Sequence, residues 1–237
     1  MFIKKFFDFI KKSPLKVKNN YYFQNSGLEK VQTIGIIGDS VSFGLKAKVN
    51  YGQYLQKATG GTVQNLARSG AHLSDNGQKS IFQQSQRLNQ SDLYILQGTD
   101  DDWLANVPIG NKEDNEKKSY IGAFYQTVFQ LQQRNPMAKI IIVTTTYQTP
   151  MWGSIVRRTD STKNTLGHSL HDYMTAQVKA CEDLKLPYVN LMRRVLFDPN
   201  KQLFREKYMP DGLHPNEKGH QIIAREIAIV YKNNFKQ

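Results

Sequence analysis

The chain has 237 residues, 39% hydrophobic and 22% charged, with a formal net charge of +12 at pH 7. That length suits one large domain with a substantial core, and the composition argues against disorder. No stretch approaches the ~20 consecutive apolar residues of a membrane-spanning helix, and a single cysteine, Cys181, excludes an internal disulfide or a cysteine-based zinc cluster. The basic excess favours anionic partners, but no zinc-finger spacing or RNA-binding strand signature accompanies it, so no nucleic acid is expected.

Residues 1–20 hold six lysines against one aspartate. Wound as a helix, Phe2, Ile3, Phe6, Phe7, Phe9 and Ile10 share one arc, and Lys4, Lys5, Asp8, Lys11 and Lys12 the other. Ser13-Pro14 would end it. Such a basic amphipathic helix either lies in an anionic membrane interface or packs on protein. Lys4, Lys5 and Asp8 interrupt any signal-peptide core, so the expected location is the cytoplasm, at the inner membrane face if the helix binds lipid, with export by another route left open.

Val31–Ile37 reads as a buried strand closed by Gly38, Leu45–Ala58 as a helix stopped by Gly60-Gly61, and Val63–Leu66 as a short strand. Asn76–Leu88 has helical spacing, and Asp92–Gln97 is a strand. Tyr120–Arg134 is an amphipathic helix ended by Asn135-Pro136, and Lys139–Thr146 is a strand. A long polar segment, Gln148–Gly167, reads as a functional or mobile loop. A helix (His168–Leu184), a strand (Pro187–Leu191) and a final helix (Asn216–Asn233) follow. Strands alternating with helices predict a three-layer α/β/α sandwich on a five-stranded parallel sheet over residues 21–237, with residues 1–20 as an extension. Ligands of such sheets bind beyond the carboxyl ends of the strands. Chemistry is therefore sought in Gly38–Phe43, Ala67–Asp75, Gly98–Trp103 and Gln148–Thr159.

Gly38-Asp39-Ser40 follows the first strand, where a serine can expose its hydroxyl near main-chain N–H groups. Alone it is an ordinary turn. Near the other end, Asp211-Gly212-Leu213-His214 sets an acid three residues before a histidine. A nucleophilic serine needs such a base, and the base a carboxylate to orient it.

From about Ile34 to the final helix, these blocks resemble the SGNH (GDSL-like) hydrolase superfamily, of the bacterial esterase/acylhydrolase type with a flavodoxin-like sheet. The resemblance implies Ser40 as nucleophile and oxyanion donor, His214 as general base and Asp211 as orienting acid. Asn65-Leu66-Ala67-Arg68-Ser69-Gly70 is similar to the second block, implying the Gly70 N–H as another donor. The stretch from Asn164 to Tyr173 is similar too, without a catalytic role. The third block departs: where the family pattern G-x-N-D has an amide-bearing asparagine, Gly98-Thr99-Asp100-Asp101 has Asp100, or Asp101 in a shifted register. An ionised carboxylate only accepts hydrogen bonds. Asp100 is then protonated by burial beside other acids, or turned away from the oxyanion, or the mark of a weak or silent hydrolase.

Asp101, Trp103, Trp152 and His72 are candidate substrate contacts, the tryptophans through ring stacking or as anchors of their own loops. Arg157-Arg158 either meets an anionic substrate or is simply solvated. Asp39 is expected to hydrogen-bond the serine turn. His168, His171 and His220 are expected as surface or core residues, and neither metal nor cofactor is expected. The expected activity is removal of small acyl groups, O-acetyl above all, from a small molecule or a bacterial glycan or surface polymer. The competing expectation is a catalytically silent protein binding glycan or anionic polymer at a membrane surface.

Overall fold

Five apolar runs lie side by side as parallel strands: β1 (Thr33–Ile37), β2 (Thr62–Asn65), β3 (Leu93–Gln97), β4 (Lys139–Val143) and, after a separate small hairpin, β7 (Tyr188–Val189). The computed structural model describes residues 23–75, 79–114, 117–193 and 195–235. The helix expected over residues 2–12 lies outside them. Among the described residues no helix is long and apolar enough to cross a membrane.

The sheet order is β2-β1-β3-β4-β7, all parallel, with Ile34 beside Leu93 and Ile142 beside Tyr188. Alternate strand residues face opposite sides. Tyr94, Leu96, Ile140 and Ile142 pack on one face against α3 (Ile81–Arg87), α5 (Tyr120–Arg134) and α6 (Leu170–Asp183). Leu93, Ile95, Ile141 and Val143 pack on the other against α2 (Tyr51–Thr59) and α8 (Glu217–Phe235). The expected three-layer α/β/α sandwich is the observed fold. Three short helices complete it: α1 (Ser40–Phe43), α4 (Asp101–Leu104) and α7 (Gln202–Tyr208).

Boundaries moved where side chains capture backbone groups. The helix expected from Leu45 starts at Tyr51, because Asn50 and Gln53 form a reciprocal capping box. Ser80 likewise caps α3, accepting the Gln83 N–H at 3.0 Å. The strand expected to reach Thr146 ends at Val143, after which the Leu191 N–H bonds the Thr144 hydroxyl instead of a carbonyl. The long polar segment carries a two-stranded hairpin, β5 (Met151–Trp152) with β6 (Ile155–Val156).

The chain leaves β1 toward β2 on one side, and β3 lies on the other, so the ends of β1 and β3 frame the crevice where doubly wound sheets bind ligands.

Candidate active site

Ser40 leaves the end of β1 as the first residue of α1. Asp39 shapes this turn: it is fully buried and accepts the Val41 N–H at 2.7 Å. Gln97, at the end of β3, clamps it from the side, with Oε1 accepting the Asp39 N–H at 3.1 Å and Nε2 donating to Asp39 Oδ2 at 3.1 Å. From α3, Gln84 takes the Gly38 N–H at 2.9 Å and donates to the Gly38 carbonyl at 3.0 Å. Three elements therefore fix the serine's backbone, as a preorganised nucleophile requires.

His214 comes from the turn before α8. Its Nε2 lies 3.1 Å from Ser40 Oγ, and its Nδ1 lies 2.7 Å from Asp211 Oδ2. Asp211 Oδ1 also accepts the main-chain N–H of Leu213 at 3.0 Å and of His214 at 2.7 Å. Burial pushes the Asp211 carboxyl up, but these bonds outweigh it and hold the carboxyl below its ordinary value, so it stays ionised beside the imidazole. Gly212 sets the turn with φ 74°, and its Cβ position would lie 1.9 Å from the Thr149 carbonyl, so only glycine fits. The Thr149 N–H bonds the Gly212 carbonyl at 2.8 Å, which ties this turn to the loop after β4.

Ser40 and Gly70 carry main-chain N–H groups that no hydrogen bond engages among the described residues. The loop that bears Gly70 is held by Asp102, which accepts the N–H of Leu73 at 2.6 Å and of Ser74 at 3.0 Å. Burial raises the Asp102 carboxyl, against those bonds.

Asp100 is buried at the end of β3, and Arg158 reaches it from the long loop. Arg158 Nη2 lies 3.4 Å from Asp100 Oδ2 and 3.3 Å from Gln148 Oε1. The residue pattern raised no such partner. An arginine expected either to meet an anionic substrate or to be solvated instead neutralises an acid fifty-eight positions away. Asp101 caps its own turn, bonding the Thr99 hydroxyl at 3.0 Å. Burial, then the charge of Asp100, pushes its carboxyl up to about 7. Burial, then Asp101 and Asp100, raises Asp39 as well. Carboxylate oxygens of Asp39, Asp100 and Asp101 lie within 4.8 Å of one another. Asp39 bonds Gln97, Asp100 pairs with Arg158 and Asp101 bonds Thr99, so the cluster is tied to protein groups on each side.

Two expected contacts separate in the structure. Trp103 is 1% exposed within the core, and its indole N–H donates to the His168 carbonyl at 3.1 Å. It anchors the loop and is not a substrate contact, because burying so large a ring leaves no face for a ligand. Trp152, on the hairpin, is 78% exposed. His72 is half-buried on the Asp102 side, where it lowers the acid electrostatically. Asn164 donates to the Trp103 carbonyl at 3.1 Å and to the Tyr173 hydroxyl at 3.2 Å, so its stretch braces the loop after β3. His220 is a core residue whose Nδ1 accepts the Tyr51 N–H at 3.3 Å, and burial lowers it to about 4.

A doubly wound sheet with a serine–histidine–aspartate chain at its switch point defines the class, an ester-hydrolysing serine hydrolase. The chain belongs to the GDSL-like lipase/acylhydrolase family, whose model matches residues 36–222. It is similar in structure to a protein from Lactobacillus plantarum at 22% identity and TM-score 0.75, covering 86% of this chain and 98% of that one. A possible lipase from Chitinophaga pinensis matches at 20% and 0.67, covering 85% and 98%. A variant of an acetyl-xylooligosaccharide esterase from a Geobacillus species matches at 20% and 0.54, covering 84% and 94%. At these identities the likeness carries the fold. No match was found among curated proteins.

Proposed function

We propose that the protein is an esterase that removes small acyl groups, O-acetyl above all, from a glycan or surface polymer. The hydrogen-bonded chain from Ser40 Oγ through His214 to Asp211 carries this reading. In it, Ser40 Oγ attacks the acyl carbon as His214 Nε2 takes its proton, and the oxyanion is received by the N–H groups of Ser40 and Gly70. His214 then protonates the departing alcohol, and water activated by the same imidazole releases the acyl group. Asp211 keeps the Nδ1 proton in place throughout. Arg158 offsets the charge of Asp100 beside the two main-chain donors.

The acetyl-glycan substrate is supported by the esterase named among the structural neighbours and by the exposed Trp152 ring. Labelling with a fluorophosphonate, alongside hydrolysis of a short acetyl ester, tests the reading. An adduct on Ser40, lost in Ser40→Ala, is expected. A folded protein giving neither adduct nor hydrolysis would favour a silent glycan-binding role. The membrane-surface role of residues 2–12 rests on their sequence pattern, and it predicts that replacing Phe6 and Phe9 by serine reduces pelleting with anionic liposomes.

A further inference from the structure

On the β2 side of the serine turn lies a cleft of about 280 Å³ that the hydrolytic chemistry does not use. Its wall carries Arg68, Lys79 and Arg87, and Phe43, 53% exposed, adds an apolar face. None of the three cations forms an ion pair among the described residues, whereas Lys163, Lys201 and Arg158 all do. The nearby carboxylate, Asp75, is occupied by the Ser80 hydroxyl at 2.8 Å and by Gln83 Nε2 at 2.9 Å. A concave surface lined by one sign of charge focuses its field on the space it encloses.

The cleft is joined to the reacting centre. Gln84, in its lining, holds both polar groups of Gly38, and the Arg68 N–H bonds the Gly38 carbonyl at 3.1 Å. Lys79 Nζ lies 3.9 Å from the Cβ position of Gly70. The cleft therefore borders both the Gly70 loop and the turn that carries Ser40.

We propose that this cleft is an anion subsite, and that the natural ester carries a phosphate or carboxylate on its alcohol portion, held by Arg68, Lys79 and Arg87 while Phe43 covers a sugar face. This rests on the esterase reading and narrows its substrate to anionic acylated sugars. Three cations in the wall of one cleft favour phosphate or carboxylate oxygens by charge, and arginine also by its paired donors.

The test compares kcat/KM for three acetylated sugars of one skeleton: neutral, phosphate-bearing and uronic. An advantage of about tenfold for a charged ester at low salt is expected, shrinking as salt screens exposed charges. The charged-to-neutral ratio should collapse in Arg68→Gln/Lys79→Gln/Arg87→Gln. It should persist in Lys57→Gln/Lys179→Gln/Lys232→Gln, which removes the same charge from exposed helix positions elsewhere. Which charged ester leads separates phosphate from carboxylate. Equal rates on all three esters, or an unchanged ratio in the first variant, would overturn the subsite. Failure to hydrolyse any ester would instead count against the esterase reading. Calorimetry with the unacetylated sugar phosphate and uronic acid then decides the subsite alone: binding by wild type that is lost in the first variant supports it, and no binding by wild type ends it.

Discussion

Arg158 and Asp100 meet 3.4 Å apart with side chains only 14% and 8% exposed, one from the loop after β4 and one from the end of β3. Removing one partner of a buried pair leaves an uncompensated charge, here beside the reacting centre. Arg158→Met should therefore lower kcat/KM on a short acetyl ester on the order of a hundredfold, the scale of a damaged oxyanion site. Adding Asp100→Asn removes the stranded charge and should recover most of that loss. The double-mutant cycle on kcat/KM is the measurement, with thermal melts confirming that each variant folds. Equal rates for Arg158→Met and the double variant would mean that the Asp100 charge does not reach the transition state.

Asp101 makes stability depend on pH. Its carboxyl sits at about 7 in the folded chain, against ~4 when unfolded. Between those values the native group keeps a proton that the unfolded chain has lost, so rising pH favours unfolding until pH has passed through about 7. His220 works oppositely: burial lowers it to about 4, so stability rises with pH from there to roughly 6.5, where the unfolded imidazole loses its proton. Above pH 6.5 the acid acts alone of the two. Tm should fall from pH 6.5 to 8.5, and Asp101→Asn should shrink the fall. Parallel Tm curves for the two proteins would remove Asp101 as the cause.

What the residues disclosed in advance was local or repetitive. Tyr120–Arg134 has the same limits in sequence pattern and structure, because its apolar spacing and Asn135-Pro136 stop agree with the start that Ser119 fixes by accepting the Gly122 N–H. Asp211 and His214 stand three apart, so a turn was enough to suggest their bond. The role of Arg158 was hidden, since nothing in Arg157-Arg158 tells which one a fifty-eight-residue closure will turn inward. Gln84 and Gln97 were missed for a related reason. A glutamine in a helix or strand looks like any polar residue until the fold sets it against a backbone amide. Only an isolated polar residue ending the buried run Leu93–Gln97 hinted at a task.

The two tryptophans should part company in experiment. Trp103→Ala empties a core position and takes a donor from the His168 carbonyl, so a loss of about 3–5 kcal/mol is expected in urea denaturation. Trp152, exposed on the hairpin, should change stability by no more than about 0.5 kcal/mol when replaced by alanine. Its effect should appear instead as a raised KM for an acetylated oligosaccharide. An unchanged KM would take Trp152 out of the substrate site.

Asp102 should matter for both stability and rate, although it touches no reacting atom. Its two oxygens satisfy the N–H groups of Leu73 and Ser74, all three residues being buried. Asp102→Ala would strand both donors, at a cost of about 2–4 kcal/mol from the desolvation of two unpaired groups. Asp102→Asn keeps one acceptor and should cost less. Because this loop also carries Gly70, kcat should fall in both variants while KM for a small ester changes little, since the lost contact is one made in the transition state. Urea denaturation and steady-state kinetics on the same preparations separate the two effects. A destabilised Asp102→Ala with undiminished kcat would mean that the Gly70 N–H is not an oxyanion donor.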